Sequence, residues 1–121
     1  MRLETLMGPA LELDQRIPLP TPATPTACHS NPQAFDVDRG EVTDPAAADR
    51  IRQATATCRT CPIAAACLRW ALTHPDLTRI GVWAATTAPD RTALRRRLEN
   101  RLGPNWVDVL AAETPSTAPL R

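Results

Sequence analysis

The stretch that decides the fold is Cys58-Arg-Thr-Cys-Pro-Ile-Ala-Ala-Ala-Cys-Leu-Arg-Trp-Ala-Leu72. Most of its residues favour helix, yet one unbroken helix cannot bring its three thiols together. At about 100° per residue, Cys58 and Cys67 would point about 180° apart. Pro62 resolves this, because proline removes an amide donor and ends a helix before it. The stretch therefore predicts one helix ending at Cys58–Cys61 and a second opening at Pro62. The three sulfurs can then face one centre. On the second helix Ile63, Cys67 and Trp70 share a face by i, i+4, i+7 spacing.

Outward from this core, the pattern stays helical. Asp44-Pro45 is a start signal, an N-cap aspartate with proline at the first helical position. The run after it places Ala47, Ile51, Ala54 and Cys58 on one stripe. Downstream, His74-Pro75 stops the second helix, and a turn-like stretch over 75–88 holds Gly81-Val82-Trp83. A third helix opens near Pro89-Asp90 and ends at Gly103-Pro104, a C-cap glycine followed by a stop. The segment 105–113 predicts one or two further turns. No stretch alternates as a strand does. The expected fold is all-α, a small four-helix-type domain built round four cysteines.

The ends differ from this middle. Residues 1–16 suggest a short, weak helix broken at Gly8-Pro9. Pro18, Pro20, Pro22 and Pro25 make residues 17–26 an extended, polyproline-like linker. The expected organisation is a disordered N-terminal segment over 1–26, the domain over 27–102, and a short helix with a frayed tail over 103–121.

Composition sharpens the picture. The chain has 121 residues, fourteen basic against thirteen acidic, with three Trp, one Phe and no Tyr. Every basic residue is Arg. So few aromatics make a thin core, and small domains with thin cores need a disulfide, a metal or a partner. No stretch reaches the roughly 18–20 apolar residues that span a bilayer. Acidic residues at Glu4, Glu12 and Asp14 argue against a secretory signal. The expected compartment is the cytoplasm, where thiols stay reduced and four cysteines read as a metal or redox site.

Those four are Cys28, Cys58, Cys61 and Cys67, spaced C-x29-C-x2-C-x5-C. Three local thiols and one remote one suit a tetrahedral set. Zinc sites of four cysteines usually show two short-spaced pairs, whereas iron–sulfur clusters accept this arrangement. Spacing leaves both open, along with buried free thiols. His29 and His74 read as surface or packing residues, because four thiols already complete a site.

Four features together resemble the WhiB-like proteins, small iron–sulfur transcription factors of actinobacteria and their phages. Ala27-Cys28 is followed by Pro32 and Phe35. Cys58-Arg-Thr-Cys61-Pro62-Ile63 continues to Cys67-Leu68. Gly81-Val82-Trp83 resembles the family's G-[VI]-W turn. Arg91, Leu94, Arg95, Arg96, Arg97 and Leu98 resemble its basic helix. The resemblance implies one [4Fe–4S] cluster on the four cysteines and a response to redox state, oxygen or nitric oxide. It also implies binding to region 4 of the primary sigma factor, with Gly81, Val82 and Trp83 at that contact. Promoter DNA would meet Arg91, Arg95, Arg96, Arg97 and Arg101. Three departures stand out. Ala84-Ala85 replaces the glycines common after the tryptophan, at about 1 kcal/mol or more if the turn needs positive φ. Asp36-Val37 replaces an aromatic and a proline, and no Arg-Gly-Arg-Pro hook follows the basic helix.

Two other functions compete with a regulator that is not an enzyme. Cys58-x-x-Cys61 near a helix start is chemically apt for a protein disulfide reductase, although no thioredoxin-like βαβ pattern surrounds it. A structural zinc module for protein contacts is the other.

Overall fold

The structure, a computed structural model, describes residues 17–113. The expected helix over 1–16 and the tail beyond Glu113 lie outside them. Among the described residues five α-helices follow one another: α1 (Ala27–Ser30), α2 (Ala48–Arg59), α3 (Ala64–Thr73), α4 (Ala88–Leu102) and α5 (Trp106–Glu113). Short 3-10 turns fill the gaps before α2 and after α3. Among the described residues no strand forms, and the one β-type pairing is an isolated bridge between Trp83 and Thr86. The all-α expectation holds.

Local chemistry sets the boundaries. The Asp44 side chain accepts from the Ala46 amide, and Pro45 opens a single 3-10 turn that runs into α2. The predicted stripe is the buried one: Ala47, Ala54 and Cys58 are buried, and Ile51 packs against the same core. Pro62 sits in a turn, where the Cys61 amide donates to the Cys58 carbonyl and the Ala64 amide to the Cys61 carbonyl. α3 therefore starts at Ala64, two residues later than the proline suggested.

At the head of α4, the Thr87 amide and hydroxyl both meet the Asp90 carboxylate, at 3.0 and 2.9 Å. This caps the helix two residues before Pro89. Its other end closes on Gly103, at φ 92°, whose amide donates to the Glu99 carbonyl. That left-handed residue is the predicted C-cap.

The core is as thin as composition implied. One cluster gathers Phe35, Val37, Ala54, Cys58 and Val82, so a cysteine sits among the few large apolar side chains. The segment around Phe35 is stitched to the Trp83 turn, with Gly81 donating to the Val37 carbonyl and Val82 to the Phe35 carbonyl. This pairing joins the Cys28 side of the molecule to the hairpin that follows α3.

Candidate metal centre

Cys28 lies on the four-residue α1, Cys58 in the last turn of α2, Cys61 in the proline turn and Cys67 on α3. All four line a single cavity of about 730 Å³. Cys58 is buried, Cys61 and Cys67 half-buried, and Cys28 exposed, and none is in a disulfide. Among the described residues no three His, Cys, Asp or Glu side chains converge on the position of one metal ion. The thiols surround a volume and not a point.

The electrostatics follow from that placement. Burial pushes the Cys67 thiol up to about 11, and neighbouring Cys58, Cys28 and Cys61 push it the same way. Burial also raises the Cys58 thiol, and there the backbone N–H groups of Ala85 and Ala84 pull back by hydrogen-bonding its sulfur. Cys58 and Cys67, buried in an apolar wall, therefore resist charging alone. A cationic metal centre reverses that preference, since coordination deprotonates a thiol outright. The donor set, all sulfur and able to close round a large volume, fits an iron–sulfur cluster held by four cysteines.

The amides come from an unusual turn. Trp83 and Thr86 exchange backbone hydrogen bonds of 3.0 and 2.9 Å, and the two residues between them, Ala84 and Ala85, have φ of 50° and 66°. Two consecutive positive φ values define the primed hairpin turn that glycine and asparagine favour. The alanines replacing the family's glycines therefore occupy left-handed backbone. Ala85 offsets part of the strain by packing its methyl group against the core cluster of Cys58 and Val82.

A further wall comes from the proline-rich segment. Leu19, Pro20, Pro22 and Pro25 line the cavity together with the hairpin residues Trp83 and Ala84. Thr26 Oγ1 lies 3.2 Å from the Cys28 sulfur. Residues 17–26, expected as part of a disordered segment outside the domain, instead adjoin the thiols and bury Ile17. Proline's fixed φ lowers the entropy of ordering such a segment.

The other candidate residues separate into two groups. Gly81 and Val82 are buried and Trp83 is half-buried. The Trp83 indole N–H donates to the Ile80 carbonyl, and its ring lies 5.5 Å from that of Trp70. His74 is buried and stacks on Trp70 at 4.4 Å, while exposed His29 borders the cavity.

The basic helix needs a correction. Arg91, read as a DNA contact, has no exposed surface. Its guanidinium donates to the carbonyls of Thr78, Ile80, Gly81 and Thr86. Burial holds its pKa down at about 10. Arg95, one turn on, is half-buried and donates to the Leu72 and Ala71 carbonyls at 2.8 and 2.9 Å. It caps the C-terminus of α3, where a cation complements the helix dipole. Arg96, Arg97 and Arg101 are exposed.

Sequence reasoning missed the inward arginines and the amide donors. The signal for the first was present: Arg91, Arg95, Leu98 and Leu102 follow i, i+4, i+7, i+11 spacing and form one stripe.

With this arrangement described, the family follows. A model of the transcription factor WhiB family matches residues 23–94, and the chain belongs to that family of transcription factors. A similar protein is "Transcriptional regulator WhiB1" of Bifidobacterium longum, 45% identical over 53 residues. That alignment covers 43% of this chain and 54% of the relative, so the chain spans about half the length of the curated relative it matches. No solved structure matches. Among the described residues no helix is long and apolar enough to cross a membrane.

Proposed function

We propose that this protein is a cytoplasmic transcriptional regulator carrying one [4Fe–4S] cluster on Cys28, Cys58, Cys61 and Cys67. The observation that carries the reading is the single cavity lined by all four thiols, which come from separate elements of the chain. When bound, the cluster supplies an iron centre reactive toward oxygen, nitric oxide and thiol redox partners. The protein's own residues shape the response. Cys28 ties α1 to the α2–α3 unit, so the integrity of the site fixes how the two halves meet. Trp83, with exposed Leu77 and Ile80 nearby in the chain, presents an apolar contact to region 4 of the primary sigma factor. Exposed Arg96, Arg97 and Arg101 meet promoter phosphates.

The same geometry weighs against the other two readings. A thiol that attacks disulfides needs a lowered pKa, and burial moves Cys58 the other way. Zinc sites of four cysteines usually show two short-spaced pairs, whereas here only Cys58 and Cys61 are so spaced. The deciding experiment is purification without air. A brown protein whose broad visible absorption disappears on Cys→Ser change at any of the four positions supports the cluster. A colourless protein with one equivalent of zinc overturns it.

A further inference from the structure

Arg91 is the most deeply buried charge among the described residues, and a phosphate-contacting role leaves that burial unexplained. The acceptors of its fork lie on both arms of the Trp83 hairpin. One terminal nitrogen reaches the carbonyls of Thr78, Ile80 and Gly81 at 2.9, 3.2 and 3.1 Å, all before the turn. The other reaches the Thr86 carbonyl at 2.7 Å and its hydroxyl at 3.2 Å, after the turn. The Thr86 hydroxyl in turn donates to the Trp83 carbonyl at 2.5 Å. Between the arms stand Ala84 and Ala85, in left-handed backbone closed by the Trp83–Thr86 pair.

The opposite edge of the hairpin is fixed by Gly81 and Val82 donating to Val37 and Phe35. Those bonds hold only the arm before the turn. Arg91 is the side chain that grips both. A planar fork with five donors can bridge two arms, whereas a lysine ammonium acts as one point.

We propose that Arg91 is the positioning residue of the thiol site. From the basic helix its guanidinium clamps the hairpin whose Ala84 lines the thiol cavity and whose Ala85 packs on the cluster holding Cys58. The clamp makes the register of α4 and the wall of the thiol cavity parts of one assembly. Whatever shifts the hairpin is felt by α4, and the converse holds by linkage. The inference rests on reading the four thiols as one ligand set, but the thiols' own reactivity tests it without any cluster.

The test uses the full, reduced, metal-free chain, alkylated with iodoacetamide and followed site by site by peptide mass spectrometry. Cys28 is already exposed and so gains least from local opening, which makes it the internal reference. Arg91→Lys is expected to raise the Cys58:Cys28 and Cys67:Cys28 rate ratios by about tenfold, as local opening does. Helical circular dichroism should be kept and tryptophan emission should move to the red. Arg96→Lys should leave both ratios as in the parent. A folded Arg91→Lys variant with parental ratios and emission overturns the proposal. Should that variant lose its helices, Thr86→Val provides the second reading. It removes one acceptor of the clamp and leaves α4 intact, and parental ratios there also overturn the proposal. A colourless protein in the anaerobic preparation would sink the cluster reading while leaving these ratios to decide the role of Arg91.

Discussion

On α4, Arg91 and Arg95 share a helix with Arg96, Arg97 and Arg101 but not an environment. The first pair turns inward and satisfies backbone carbonyls of the Trp83 hairpin and of α3. The other three stand in solvent. Charge density along a sequence therefore says little about where charge acts. A helix of this composition packs through arginine because the neighbouring segments end in unpaired carbonyls, and burying those without donors costs free energy. No buried side-chain polar atom is left without a partner among the described residues.

The comparison can be broken at several points. Arg91→Ala leaves the hairpin carbonyls without donors and a void beside them. It should destabilise the protein by about 3–5 kcal/mol, the range found when a buried charged contact loses one member. The urea midpoint measures this, and a shift near zero would put Arg91 on the outer face after all. Arg95→Ala should cost less, about 1–2 kcal/mol, because the half-buried Arg95 serves two backbone carbonyls where Arg91 serves four. The double change Arg96→Ala, Arg97→Ala should leave the midpoint within about 0.5 kcal/mol. In the same variant, the slope of log affinity against log salt for a DNA duplex should fall by about 2. An unchanged slope would remove these arginines from the DNA contact. The smallest effect belongs to the turn. Ala84→Gly relieves a left-handed alanine and should stabilise by about 1 kcal/mol. Ala85→Gly should gain less, because its methyl group packs on the core. Thermal melting of the two variants side by side reads the difference.

Much of this was legible beforehand. Helices α2, α3 and α4 follow from Asp44-Pro45, Pro62 and Gly103-Pro104, because caps and breakers act locally. The four thiols could be grouped because the Pro62 break permits them to face one centre. The conditional strain at Ala84-Ala85 follows from the family resemblance, which puts glycines after the tryptophan. The inward roles of Arg91 and Arg95 were not. They depend on where the carbonyls of residues 71–81 end up, which only the packing of α3 against α4 decides. The proline segment reads as a linker outside the domain, and its place beside the cavity is a tertiary fact. Prolines at 18, 20, 22 and 25 set its shape without saying what it lies against.

The partners of Arg91 have a consequence for the behaviour of the protein in acid. All its acceptors are carbonyls or a hydroxyl, and none of these takes up a proton at moderate pH. Carboxylate contacts lie elsewhere among the described residues, as in the ion pair Arg50–Glu41 and the Asp90 cap of α4. The joint between helix and hairpin therefore contains no hydrogen-bond acceptor that acid can neutralise, because its cation is held by neutral oxygens.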